Sequence, residues 1–123
     1  MFVNLSNHPS ATWPANQTQA ALALGAPIVD LDFPQVEPGL EGEPFHRLAA
    51  ATAAAVLATG AQTAMVQGEH TLVYTLVGIL RKAGVRCVAA TSHRDSTTTS
   101  PAADQSVQKT SVHRFQTFRE YQE

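Results

Sequence analysis

The chain has 123 residues, enough for one domain with a sizeable core, and 44% of them are hydrophobic. A formal net charge of −2 with only 15% charged residues argues against a binder of long nucleic acids, which would normally present a basic face. No stretch approaches the roughly 20 apolar residues that cross a bilayer, and the first residues lack the basic start of a signal peptide. We therefore expect one soluble, cytoplasmic domain over residues 1–123, without a membrane partner.

Strand and helix patterns alternate along most of the chain. Short apolar runs such as residues 1–6 predict strands, and apolar residues at helical spacing that stop at a glycine, such as Gly84, predict helices. Residues 95–106 are polar and turn-forming, and they predict a flexible hairpin loop. In chain order, the predicted elements are β1 at 1–6, α1 at 15–25, β2 at 27–33, α2 at 43–59, β3 at 61–67, α3 at 68–84, β4 at 85–94 and β5 at 107–118.

This order predicts an α/β fold. Strands that alternate with helices imply a mainly parallel sheet covered on both faces, a Rossmann-like three-layer sandwich. Right-handed crossovers favour the five-stranded order 2-1-3-4-5, and the helix-free last connection predicts that β5 runs antiparallel to β4. In such a sheet, ligands bind beyond the carboxyl ends of the strands at the switch point, here between β1 and β3.

Three polar clusters follow strands that end at this predicted edge of the sheet. They are SNHPS at residues 6–10, QGEHT at 67–71 and TSHR at 91–94. The first turn of α3 leaves N–H groups that attract an anion such as a phosphate, and Gly68 permits close backbone approach. As imidazoles, His8 and His93 suit proton transfer, whereas Arg94 suits a phosphate through its planar fork. Further ligand-binding candidates are Asn7, Ser10, Trp13, Gln67, Thr71 and Ser92.

Each cluster also has a purely structural interpretation. SNHPS is typical of a turn with a helix cap, and Glu69 would stabilise the first turn of α3. Trp13 near a helix start is typical of a hydrophobic staple, although an indole also stacks on adenine. His113 would simply fill a position in β5.

Other reactive residue types point to no cofactor and no metal. Cys87 lies in an apolar run and is most simply a core residue. Asp30 and Asp32 share one face of β2, but we expect them at an edge away from the switch point. The chain contains no metal-binding histidine or cysteine motif and no glycine-rich dinucleotide or nucleoside-triphosphate loop.

The opening FVNLSNHPS, residues 2–10, and the segment QGEHT resemble a group of small stand-alone proteins of type III CRISPR systems. These proteins are similar to the CARF sensor domain, and they are proposed or shown to be ring nucleases. The segments VDLDFPQVEP, CVAATSHR and VHRFQTFREY fit the same Rossmann-like layout, so the resemblance covers nearly the whole chain in organisation.

The resemblance implies a metal-independent phosphodiesterase that binds cyclic oligoadenylate, usually cyclic tetra-adenylate, across a homodimer. Attack of a ribose 2′-hydroxyl on the adjacent phosphate would open the ring and switch off type III CRISPR signalling. His8 would then transfer protons, Arg94 and the start of α3 would stabilise phosphate charge, and Glu69 is a further catalytic candidate. The residues around them, including His93, would hold the ring.

Two alternatives to the ring nuclease stay open. Only one strong acid or base candidate, His8, is visible in the sequence, so a sensor or sponge that binds the ring without cutting it is possible. The third hypothesis is a small interaction module in which the polar strand ends serve only as turns.

Overall fold

The computed structural model describes the backbone of residues 1–101 and 107–122 and the side chains of residues 1–93 and 113–122. Its elements are β1 (Phe2–Leu5), a 3-10 turn (Ser10–Thr12), α1 (Ala15–Leu24), β2 (Ile28–Leu31), α2 (Gly42–Ala58), β3 (Thr63–Val66), α3 (His70–Lys82), β4 (Arg86–Pro101) and β5 (Val107–Glu120). The predicted α/β class and element order are confirmed. Within the described part of the chain, none of the helices combines the length and the apolar character that crossing a bilayer requires.

The five strands form one sheet in the order β2-β1-β3-β4-β5, as predicted. The first three neighbouring pairs are parallel, and β4 with β5 is antiparallel. Leu5 at the end of β1 pairs with Val66 at the end of β3. The carboxyl ends of these two strands therefore lie side by side, and we call this edge of the sheet the rim.

The two faces of the sheet pack against different helices, because successive strand residues point to opposite sides. Val3 and Ala64 belong to a large core with Leu72, Leu76 and other residues of α2 and α3. On the opposite face, α1 covers a smaller core, whose buried members are Phe2, Ala21, Met65 and Val88. Asn4 shares a strand face with Phe2, and it is only 1% exposed.

The hairpin of β4 and β5 is longer than the sequence predicts. The predicted loop at 95–106 is wrong over residues 95–101, where β4 continues to Pro101 and Thr97–Pro101 pair with residues 107–111. Threonines at 97–99 favour extended backbone because they are branched at Cβ. Residues 102–106 lie outside the described part of the chain. At its other end β5 runs on to Glu120, beyond the predicted limit of residue 118. The Glu120 carboxylate forms an ion pair with Arg86, with Oε2 and Nε 3.4 Å apart.

Candidate functional site

The loop that follows β1 is held by side chains buried beneath it. The carbonyl oxygen of His8 accepts hydrogen bonds from Asn4 Nδ2 at 2.9 Å and from the indole Nε1 of Trp13 at 3.1 Å. The hydroxyl of Ser6 donates to Asn4 Oδ1 at 2.6 Å and accepts from the His8 N–H at 3.1 Å. Asn4 and Ser6 are 1% and 4% exposed, so the polar groups that hold His8 lie inside the protein.

Asp30 completes this arrangement. It lies on edge strand β2, as expected, but it stands opposite Asn4 of β1 and therefore also reaches the loop that follows β1. Its Oδ1 accepts from Asn4 Nδ2 at 3.1 Å, and its Oδ2 accepts from the Ser10 N–H at 3.1 Å. One carboxylate therefore binds both the buried strand and the loop that follows it.

A cavity of about 320 Å³ opens at the rim, where the switch-point rule predicts a ligand. We call it the rim cavity. Four of the predicted site residues lie in its wall, because they follow β1 or β3 or stand on β4. The residues that matter for its chemistry are His8, Trp13, Gln67, Ser92, His113 and Phe115.

His113 is the functional candidate that sequence reasoning missed. It was expected to fill a position in β5, but the antiparallel pairing places it opposite Arg94, and it lines the rim cavity together with His8. Both histidines are exposed. The cavity wall thus includes two histidines, the residue type that most often serves as a general acid or base.

An aromatic cluster adjoins the rim cavity, and two of its members, Trp13 and Phe115, line it. Trp13 meets Phe2 edge to face, with ring centroids 6.2 Å apart, and it also contacts Phe118 at 6.2 Å. Phe115 packs on Phe118 at 4.9 Å, and its carbonyl accepts from Asn16 Nδ2 at 3.1 Å, which ties α1 to β5. The indole of Trp13 is therefore part of the core and part of the cavity wall, so neither interpretation of this residue excludes the other.

Gln67 connects the end of β3 to the interior of β4. Its Oε1 accepts from the Ala90 N–H at 2.6 Å, beyond the last ladder pair, Met65 with Val88. Because Gln67 lines the rim cavity, the NH₂ group of its amide is a candidate hydrogen-bond donor to a ligand.

The start of α3 binds the protein's own carboxylate. Glu69 accepts from the N–H groups of Thr71 and Leu72 at 3.0 and 2.9 Å, and from the Thr71 hydroxyl at 2.6 Å. The hydroxyl of Thr71, followed by these two N–H groups, lowers the pKa of Glu69. Glu69 is thus a helix cap here, and these two N–H groups are not open to a phosphate. Neither Glu69 nor Thr71 belongs to the described wall of the rim cavity.

Gly68 is required by packing within the protein. A Cβ atom at this position would overlap the aromatic ring of Phe33, which is 5% exposed and belongs to the larger core. The group that lies close to the Gly68 backbone is therefore the Phe33 ring, where the sequence predicts a ligand.

Residues 1–119 match the uncharacterized protein MJ1673 family. The chain belongs to this family. A search of curated proteins and a search of solved structures each found no match. The family description names no ligand and no reaction, so the geometry of the rim cavity is the basis for a functional proposal.

Of the other predicted residues, Asn7, Ser10 and His93 are not part of the described wall of the rim cavity. Asn7 and His93 are exposed, and Ser10 contributes its backbone N–H to Asp30. The backbone of Arg94 pairs with His113, but its side chain lies outside the described residues. Among the described residues, no three of His, Cys, Asp and Glu come together as a metal site would require.

Cys87 lies in the larger core. Its side chain is buried, and the loss of solvent raises the pKa of the thiol to about 11. A thiol that stays protonated at neutral pH is a poor nucleophile, in agreement with a core role.

A second depression, of about 1340 Å³, runs along α3 on the other face of the sheet. We call it the α3 groove. Tyr74 projects beside it with 84% of its surface exposed, more than any other large hydrophobic side chain in the described region. Gln67 lines both the α3 groove and the rim cavity, so the two depressions adjoin.

Proposed function

We propose that the rim cavity binds cyclic oligoadenylate, most directly cyclic tetra-adenylate, and that the protein cleaves it as a ring nuclease. The ligand class comes from the resemblance to type III CRISPR proteins. The observation that supports catalysis is the presence of His8 and His113 in one cavity at the switch point. Cleavage would switch off the type III CRISPR response that the ring activates.

Two imidazoles balance the proton transfers of this reaction without a metal. The ribose 2′-oxygen attacks the adjacent phosphorus, and the bond from phosphorus to the 5′-oxygen breaks. One neutral imidazole accepts the 2′-hydroxyl proton, and the other, protonated, donates a proton to the departing 5′-oxygen. The products are a 2′,3′-cyclic phosphate end and a 5′-hydroxyl end.

The remaining wall of the rim cavity suits an adenine nucleotide. Trp13, which is half-buried, offers aromatic surface, and stacking of a base on such a ring contributes about 1–3 kcal/mol. Gln67 and Ser92 offer hydrogen bonds to the base or ribose. Alignment of the 2′-hydroxyl with the phosphate contributes most to the rate, since correct orientation lowers a barrier by about 7–11 kcal/mol.

A homodimer is part of this proposal because the rim cavity is small. Its volume of about 320 Å³ stands at the lower end of small-molecule sites, which span about 300–1,000 Å³. A ring of four nucleotides therefore needs wall from a second copy. The α3 groove is the proposed contact surface because it adjoins the rim cavity through Gln67 and carries exposed Tyr74.

Mass measurement by sedimentation tests the dimer. We expect Tyr74→Glu to give monomers, whereas Leu22→Glu, at an exposed apolar residue of α1, leaves the dimer intact. A wild-type protein that sediments as a monomer, with and without cyclic tetra-adenylate, would contradict this part of the proposal.

The deciding experiment is cleavage of cyclic tetra-adenylate in EDTA, with the products separated by chromatography. We expect linear products with 2′,3′-cyclic phosphate ends, and a loss of about 10²–10⁴-fold in rate for His8→Ala and for His113→Ala. His46→Ala is the matched control, because this histidine is exposed on α2, across the sheet from α1. A ring that stays intact after long incubation with excess protein would reject the nuclease.

A sensor or sponge that binds the ring without cleavage is the second candidate. The observation in its favour is the Glu69 cap, which occupies two N–H groups expected to stabilise phosphate charge. Trp13 is the single tryptophan of the chain, so its fluorescence reports directly on the rim cavity. A fluorescence change upon ring addition with no linear product would favour this candidate.

A further inference from the structure

The buried polar cluster beneath His8 has no part in the proton transfers described above. Asn4 stands inside a buried strand, where an apolar residue would avoid the cost of removing an amide from water. The cluster is nevertheless fully bonded, since the Asn4 NH₂ group donates to His8 and Asp30, and its carbonyl accepts from Ser6. Such an arrangement specifies one geometry at the position where it occurs.

The geometry it specifies is that of the His8 backbone. The His8 carbonyl accepts from Asn4 at 2.9 Å, and the His8 N–H donates to Ser6 at 3.1 Å. Beyond Pro9, the Ser10 N–H donates to Asp30 at 3.1 Å. The chain is therefore held before, at and after His8, and Asp30 binds both Asn4 and Ser10.

Strand pairing does not account for the cluster. β1 and β2 are already joined by a parallel ladder from Phe2 with Ile28 to Leu5 with Leu31. The contacts of Asp30 with Ser10 and of Ser6 with His8 lie beyond the last pair of that ladder. What they add is the path of the loop at the wall of the rim cavity.

We propose that Asp30 is a positioning residue for His8, which holds the histidine loop through Asn4 and the Ser10 N–H so that the imidazole enters the rim cavity in one orientation. This inference rests on the proposed function in one respect, namely that His8 transfers a proton. Asp30 itself takes no part in the proton transfers.

The test compares Asp30→Asn with Asp32→Asn. The second variant makes the same change of charge at an exposed residue two positions further along the sequence. Asp30→Asn replaces one acceptor oxygen with an NH₂ group, so it cannot keep both hydrogen bonds. We expect kcat for ring cleavage to fall about 10- to 100-fold with KM nearly unchanged, because misplacement of a reacting group by about 1 Å has this effect. Asp32→Asn should leave both constants unchanged.

The second readout uses the unliganded protein, so it does not depend on activity. NMR of the His8 ring should show one set of signals in the wild type and broadened or multiple signals in Asp30→Asn, with His46 signals unchanged. If Asp30→Asn has the same His8 signals and the same kcat as the wild type and Asp32→Asn, the inference is overturned and the proposed function stands. If wild-type protein leaves cyclic tetra-adenylate intact, the nuclease proposal is rejected, and the His8 NMR signals still decide the positioning role.

A backbone variant covers the case in which Asp30→Asn fails to fold. Ser10→Pro removes the N–H that Asp30 accepts and leaves Asn4, Ser6 and Asp30 in place. Proline is tolerated at the first residue of a helical turn, and the preceding Pro9, with ψ of 138°, has the extended backbone that a following proline favours. A folded Ser10→Pro protein with wild-type kcat and wild-type His8 signals would contradict the inference.

Discussion

The two faces of the sheet differ in how completely they are packed. On one face, α2 and α3 bury a continuous apolar core that includes Leu72, Leu76 and Leu80, all 0% exposed. On the other face, the single helix α1 covers a much smaller core, and polar and aromatic side chains line a cavity at the rim. The difference indicates that the two faces have different roles. The face covered by α2 and α3, the packed face, fixes the strand ends, and the face covered by α1 leaves room for a ligand at the rim.

Removing apolar volume from the packed face should have the largest effect. Leu76→Ala should lower the free energy of unfolding by about 2–5 kcal/mol, because the surrounding side chains cannot close the space. Met65→Ala, at a buried residue of the α1 face, should cost less, since the rim cavity that Met65 lines lets neighbours relax. Urea unfolding followed by circular dichroism measures both values. An equal or greater loss for Met65→Ala would break the comparison between the faces.

Adding volume at the boundary between the faces should have the next largest effect. Gly68→Ala should lower the free energy of unfolding by about 1–3 kcal/mol, because its Cβ overlaps the Phe33 ring. The double variant Gly68→Ala with Phe33→Leu should then lose less than the sum of the two single changes, as unfolding in urea would show. If Gly68 instead serves ligand approach, Gly68→Ala would keep its stability and lose only affinity for the ring.

On the α1 face, a single hydrogen bond should have a smaller effect. Trp13→Phe keeps an aromatic ring against Phe2 and removes the donor to the His8 carbonyl. We expect a loss of about 0.5–1.5 kcal/mol in urea unfolding, the usual contribution of one hydrogen bond. Tyr74→Phe is the control, because this exposed ring loses only a hydroxyl and should show no change. Equal losses in the two variants would mean that the Trp13 donor stabilises nothing.

The general fold could be predicted because its signals are local. Helix periodicity with glycine stops and short apolar strands fixed the element order, and the switch-point rule then placed His8 and Gln67 at one rim. The residues that β5 adds depend on register. His113 reaches the rim cavity through an antiparallel pairing with two register shifts, and no residue pattern within β5 specifies those shifts.

Asp30 was missed for a related reason. Its importance depends on standing opposite Asn4 in a parallel pair, and parallel register is set by contacts far apart in sequence. The polar residue Asn4 inside an apolar strand was the available signal, since a buried amide requires partners. At Glu69 the sequence permitted two interpretations, and only the hydrogen bonds to Thr71 and Leu72 distinguish between them.

Glu69 provides the smallest expected effect and a test of whether the start of α3 belongs to the packed face or to the site. Its pKa lies below the ordinary 4.5 in the folded protein, so the cap stabilises α3 fully above that value, and the stabilisation is lost as the pH falls through the lowered pKa. The Tm difference between wild type and Glu69→Gln should therefore be largest near neutral pH and should close in acid. Glu37→Gln, the same change of charge on an exposed loop, should not reproduce this pattern. A Glu69→Gln protein that keeps its Tm at neutral pH but loses ring cleavage would instead assign Glu69 to the site.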